Sequence, residues 1–321
     1  MEFLFAPMEG VTYSVYRTLH NEMFPGAAEY YTPFIAPDGD GSFKPKHLRE
    51  LTADSDAGVR VIPQIIANRP EPFNITAMKL ADIGFPETNL NAGCPSPTVF
   101  KKHKGSGMLA DLSSLEAFLD GVFSAAEREG RKVSIKTRMG VHGTDEFGEI
   151  LSLYRRYPLS RLIIHARDRD GLYSSVPDVS GFSAALMDSP FPVVYNGNVF
   201  SPNDYESLLS AVPELSGVMV GRGAIANPAL IRVLSGGPAL EASELRKFHD
   251  ALTDAYLSGG LSEHFTLERM KQLWYFMIHM FRDSKKEHKA ILKANSVSDY
   301  RSAVSALFAS GKFDCSAHFE Q

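Results

Sequence analysis

Thiols are nearly absent from this chain, which has two cysteines, Cys94 and Cys315, among 321 residues. Two thiols so far apart exclude a disulfide-scaffolded fold and a cysteine-built zinc site. Long apolar runs are missing too: no segment approaches the ~20 continuous apolar residues of a membrane-spanning helix. The opening MEFLFAPMEG lacks the basic stretch and long apolar stretch of a secretory signal. These absences lead us to expect a protein of the reducing cytoplasm, with no membrane partner and no metal. Excess positive charge is also lacking, with 33 basic against 38 acidic side chains. Such a chain has no general attraction for a phosphate backbone.

The charge is unevenly spread. Residues 1–240 hold 22 basic and 27 acidic side chains, whereas 241–321 hold 11 of each. Within the latter, Arg282, Lys285, Lys286, Lys289 and Lys293 outnumber Asp283 and Glu287. That run is either a contact patch or a solvated helix face. A hydrophobic content of 44% with 22% charged residues provides for a real core, and the length suits one large α/β barrel or two domains.

Short apolar, β-branched runs recur at 2–6, 28–32, 60–66, 87–91, 132–137, 161–165, 192–196 and 217–221. Between most of them lies a helical period or a helix start signal, such as Ser113-Ser114 with Glu116, or Ser201-Pro202. Eight apolar strands alternating with helices predict a (β/α)8 TIM barrel, because parallel strands buried on both faces read this way. The strand signal stops near the linker SGGPALEAS. We therefore divide the chain into a barrel at 1–237 and an all-helical domain at 238–321. The latter has helices expected over 243–258, 264–281, 283–294 and 297–310.

Catalytic groups of such a barrel belong at the C-terminal strand ends. Seven of the eight ends carry polar or special residues: Pro7-Met8-Glu9, Gln64, Asn91 with Cys94, Lys136 with Arg138, His165 with Arg167, Asn196-Gly197-Asn198, and Gly221-Arg222. The small residues of NGN and GRG let backbone N–H groups approach an anion, with a helix start expected after each. That points to a phosphorylated cofactor. Lys136 and His165 would stabilise negative charge on the pyrimidine edge of a reduced flavin. Gln64 would hydrogen-bond that edge, and Pro7 and Met8 would back the ring.

The motifs APMEGVT, PQI, NLNAGCPSP, KGSGML, IKTRMG, IHARDRDG, NGNV and GRGAIANP stand in this order along the chain. In that order the sequence resembles the tRNA-dihydrouridine synthases, across essentially its whole length. The resemblance implies an NADPH-driven (or NADH-driven), FMN-dependent oxidoreductase that saturates the C5=C6 bond of uridine in tRNA. FMN would be held by Pro7, Met8, Glu9, Gln64, Lys136, His165, Asn196, Gly197, Asn198, Gly221 and Arg222. Hydride would pass from flavin N5 to C6, and Cys94 would protonate C5 as a general acid. Asn91, Arg138, Arg167 and Lys104 would contact the substrate. The loop from Pro95 to Met108 would be a lid over the extruded base, and the helical domain would give a second RNA contact. One departure is Asp168, where the family commonly has threonine after His-x-Arg. The alternatives are a flavin barrel reductase of a small enone or pyrimidine, or a non-catalytic RNA-binding barrel.

Overall fold

The computed structural model describes residues 1–319. Its strands are β1 (Glu2–Phe5), β2 (Glu29–Tyr31), β3 (Val61–Ile62), β4 (Gln64–Ile65), β5 (Glu87–Ala92), β6 (Lys132–Gly140), β7 (Leu162–Asp168), β8 (Val193–Asn196) and β9 (Gly217–Val220). All pairings are parallel, in the order β3-β2-β1-β9-β8-β7-β6-β5-β4. The two ends of that order, β3 and β4, flank Pro63, so the sheet closes on itself as an eight-stranded barrel. The expected single strand over 60–66 is thus split in two. Pro63 has no N–H for the ladder, yet its carbonyl still accepts from the Asn89 N–H at 2.9 Å.

Side chains alternate across each strand. Leu4, Tyr31, Ile62, Ile163, Val194 and Met219 form a small apolar cluster of their own. Their neighbours Phe3, Phe5, Tyr30, Val61, Leu162, Ile164 and Val193 belong to the main core beneath the helices. Each strand except β3 is followed by a helical element, including Ser14–Met23, Pro45–Asp56, Pro70–Asp82, Leu112–Arg128, Phe147–Tyr154, Val179–Asp188, Pro202–Ala211 and Arg222–Ala226. The helix at 112–128 is capped by Asp111, whose carboxylate accepts from the N–H groups of Ser113 and Ser114. The cap therefore stands just ahead of the serines read as its start signal.

After the barrel the chain is helical, with Ala242–Ser258, Glu263–Met277, Lys285–Lys293 and Val297–Ala309. One buried apolar cluster runs without a break from the barrel into these helices. Phe248 enters an aromatic nest on the first helix of the barrel, with ring centroids 5.4 Å from Tyr16 and 5.3 Å from Phe24. Among the described residues no helix is long and apolar enough to cross a membrane.

Candidate active site

The inward positions at the C-terminal strand ends form a polar layer above the apolar one. Two adjoining chambers open there. The first, about 300 Å3, is lined by Cys94, Gln64, Asn91, Arg138, Glu9 and Phe34 among others. The second, about 430 Å3, is lined by Asn196, Gly197, Phe200, Gly221, Arg222 and Phe319 among others. Pro7, Met8, Lys136, His165 and Tyr173 line both, so the two chambers form one continuous mouth.

Cys94 is half-buried just beyond β5. Its backbone is held from both sides. The Asn91 Oδ1 accepts from the N–H groups of Gly93 (3.1 Å) and Cys94 (2.9 Å). The Cys94 carbonyl accepts from the Ser106 N–H and the Ser106 hydroxyl. Burial pushes the Cys94 thiol above its ordinary range, against the pull of Arg138 and Lys136, so at neutral pH it keeps its proton.

The C-terminal part of the segment expected as a lid is packed in place. Gly105 through Leu109 are buried in a short 3-10 helix packed against Cys94. Gly105 has φ +57°, and a Cβ there would lie 2.8 Å from the Cys94 carbonyl oxygen; one on Gly107 would lie 2.6 Å from that of Phe100. The glycines of KGSGML serve close packing, and the exposed residues of the segment are Pro97, Thr98, Lys101, Lys102 and His103. Lys104 stands outside both chambers, with Lys102 and Arg69 near enough to depress its ammonium pKa after burial itself.

Gln64 and Asn91 belong to a buried amide chain. Asn91 Nδ2 donates to Gln64 Oε1 at 2.7 Å, Gln64 Nε2 to Asn89 Oδ1 at 2.7 Å, and Asn89 Nδ2 to Ser134 Oγ at 3.0 Å. The chain fixes how both amides face the mouth and leaves each Nδ2 or Nε2 a second hydrogen to give.

Cations gather around Lys136, which is pushed down to about 7 by burial and then by Arg138. Its Nζ donates to Asn196 Oδ1 at 2.7 Å, and among the described residues no carboxylate pairs with it. A register shift in β6 between Arg138 and Gly140 re-aims the strand end. Arg138 donates to the carbonyls of Gly93, Asp168 and Leu172, tying the Cys94 loop to the loop after β7. Its Nη2 is buried without a partner. Arg167 donates to Ser175 O at 2.6 Å, His165 Nε2 at 3.0 Å and Asn198 Oδ1 at 2.9 Å. Its guanidinium faces protein, and Asn198 acts by joining Arg167 to Arg222, which donates to the same oxygen at 3.1 Å. Burial, then the surrounding Arg138, Lys136, Arg167 and Arg222, hold His165 neutral.

The anion-binding expectation needs one correction. The helix Pro202–Ala211 begins with a complete capping box, in which Asp204 accepts from the N–H groups of Phe200 and Ser201. A carboxylate already occupies that helix start, and the basic side chains that face the second chamber are Lys136 and Arg222. The Arg222 side chain lies over Tyr173 (4.6 Å), Phe200 (5.3 Å) and Phe319 (5.7 Å).

The dihydrouridine synthase (Dus) family model matches residues 4–319. The chain belongs to that family. It is 28% identical to a probable tRNA-dihydrouridine synthase 2 of Bacillus subtilis (strain 168), over 94% of this chain and 92% of that protein. It is 26% identical to a probable tRNA-dihydrouridine synthase of Staphylococcus aureus (strain Mu50), with the same shares covered. Among solved structures, a morphinone reductase superposes with TM-score 0.54 at 12% identity, covering 75% of this chain and 87% of that one. A histamine dehydrogenase from Rhizobium sp. 4-9 gives 0.56 at 12% identity, covering 82% and 49%. Those two likenesses concern the barrel fold.

In this chain the departure at Asp168 has a local explanation. Its Oδ1 accepts from the Gly171 N–H, closing the turn that leads to Tyr173. Sequence reasoning missed Tyr173, whose ring lies 5.9 Å from His165 and under both Arg138 and Arg222. It also missed Phe319. Phe319 is buried against Phe200, Phe276 and His279 and closes one side of the second chamber. An aromatic in a polar loop or tail was the only available signal for either.

Proposed function

We propose that this chain catalyses the FMN-dependent, NADPH-driven reduction of the C5=C6 bond of uridine in tRNA, in the cytoplasm. Residues 1–237 would be the catalytic barrel and 238–321 the part that contacts RNA. Family membership and the names of the relatives support this reading. The observation that carries it is the Cys94 thiol in one continuous mouth with the basic side chains Lys136, Arg138 and Arg222.

The residues fit a flavin mononucleotide. Arg138 keeps a buried donor without a partner, and every charged group pressing on His165 is a cation. A buried cluster of one sign is unfavourable without a counter-charge, and a phosphate with an electron-rich ring edge supplies one. Pro7, Met8, Gln64, Lys136, His165, Asn196, Gly197, Asn198, Gly221 and Arg222 would hold it. Glu9 lines the Cys94 chamber and not the second one, so its role would lie toward the substrate. When bound, FMN supplies the hydride that uridine C6 accepts, and NADPH replenishes it.

The chain's own residues do the rest. Cys94 gives its proton to C5 on the opposite side of the base, and the resulting thiolate regains a proton from water. Asn91 fixes the backbone on which that thiol rides. Arg138 offers Nη2 to a carbonyl oxygen of the base. Lys136, poised near neutrality, becomes charged when negative charge forms beside it. His165 accepts from Arg167 at Nε2 and so keeps its own proton on Nδ1. The scheme uses no metal ion.

The test is to load the purified protein with FMN, add NADPH and unmodified tRNA, and measure dihydrouridine by mass spectrometry of the digested RNA. Formation of dihydrouridine is expected. A flavin-loaded protein that NADPH reduces but that leaves tRNA unchanged would overturn the reading.

A further inference from the structure

We propose that a third cavity, between the loops after β1 and β2, the helix Pro45–Asp56 and the C-terminal helices, binds the nucleotide adjoining the base that enters the Cys94 chamber. This rests on the reading of that chamber as an RNA-reducing site. The cavity measures about 340 Å3, close to the lower end of the range for small-molecule sites and enough for one nucleotide.

Three observations converge on it. Adjacency is the first: Glu9 and Pro33 line both this cavity and the Cys94 chamber, so the two lie side by side, as successive nucleotides of a chain require. Charge is the second. Lys46, Arg49 and Arg269 line the cavity together with Glu9 and Glu50. Lys46 is near enough to pull on the Glu9 carboxyl, but among the described residues none of the three cations forms a salt bridge. Arg17 in the same wall is, by contrast, neutralised by Asp54 and Glu50. The third is an aromatic surface. The Arg269 guanidinium lies 4.3 Å over the Tyr13 ring and 5.1 Å over that of Tyr256.

A bare anion would use only the cations, and an apolar ligand only the rings. A ribonucleotide uses both, stacking its base on an aromatic or guanidinium plane and placing its phosphate among the cations. The wall formed by Tyr256 and Arg269 comes from the C-terminal helices, so these helices complete a pocket beside the reacting base.

The experiment measures binding of uridine monophosphate, and of dinucleotides that extend it on the 5′ or 3′ side, to the FMN-supplemented protein by calorimetry. One of the two dinucleotides is expected to bind about tenfold tighter than the mononucleotide. Arg269→Gln should remove most of that gain while leaving the mononucleotide affinity as it was. Lys46 and Arg49 are exposed, so the double variant Lys46→Ala/Arg49→Ala tests the same point without disturbing the fold, and it should lower the gain as well. No gain in the unaltered protein, or a full gain in both variants, would overturn the proposal. So would an intact gain accompanied by a raised KM for NADPH, which would assign the cavity to the reductant. Failure of the parent reading looks different: a dinucleotide preference lost in Arg269→Gln, in a protein that reduces no uridine in tRNA.

Discussion

Arg167 donates to Nε2 of His165 across 3.0 Å. An arginine has no acceptor to offer, so this bond fixes the imidazole as the neutral tautomer with its proton on Nδ1. Burial and the neighbouring cations hold the ring neutral. In Arg167→Met the tautomer is released, and nitrogen NMR of the histidine should change from a pure Nδ1–H signature to a mixture. FMN affinity should fall by about tenfold. An unchanged nitrogen spectrum would show that the bond does not set the tautomer.

Cys94→Ala should retain FMN and its reduction by NADPH but lose about 100-fold or more in dihydrouridine formation, the usual scale of a removed general acid. Because burial raises the thiol pKa, the active protonated form prevails below and through neutral pH. It is lost only as pH climbs past the ordinary thiol range. The kcat profile should be level through neutrality and fall on the alkaline side, later than a free cysteine would. A fall beginning near pH 7 would contradict the protonated-thiol role.

Lys136 is pushed down to about 7 in the fold, whereas an unfolded lysine titrates at about 10.4. Below pH 7 the native state carries a buried, carboxylate-free ammonium at its full cost. As pH rises from 7 toward 10 the native group is neutral while the unfolded one still binds its proton, so the native state gains relative stability. Lys136→Met should therefore raise the Tm of the FMN-free protein at pH 6, by about 2 °C or more. That advantage should shrink by pH 9. Equal differences at both pH values would rule out the buried cation as the cause.

Gly105→Ala should destabilise the fold by about 1–3 kcal/mol, since the added carbon meets backbone on a residue of positive φ. It should also lower kcat more than Gly107→Ala does, because the atoms it displaces belong to Cys94. Denaturant melts beside turnover measurements would separate the two effects, and equal kcat losses would argue against the positioning of Cys94.

Glu substitutions at both Lys286 and Lys289 should raise the apparent KM for tRNA several-fold, with flavin reduction by NADPH unchanged. In the same run Arg282 pairs with Asp314, and Glu287 with Lys312, so the lysines are its available charges. A tRNA KM that does not move would return the run to an ordinary solvated helix face.

The barrel was legible because eight apolar runs kept their spacing, and the four final helices because their apolar period is 3.6. The split at Pro63, the cap at Asp111, the capping box on Pro202–Ala211 and the end of the helix expected over 264–281 at Met277, with a 3-10 turn Ile278–Met280 after it, altered local details. These depend on which N–H finds which oxygen, and spacing does not specify that. Cys94, Lys136 and His165 could be brought together on paper because strand ends of a barrel converge. Tyr173 and Phe319 could not, since a loop and a tail reach the mouth by tertiary paths without a period. The packed state of Gly105–Leu109 was also hidden, because glycine signals freedom and close approach with the same letter.

Phe248 sits between Tyr16 and Phe24, under one uninterrupted core. Its consequence concerns inheritance and engineering. Chimeras that exchange the final helices among relatives cannot be joined at the linker near residue 237 alone. The incoming helices must bring a counterpart for that aromatic nest, or the first barrel helix must travel with them. The final helices and the first barrel helix are therefore passed on together.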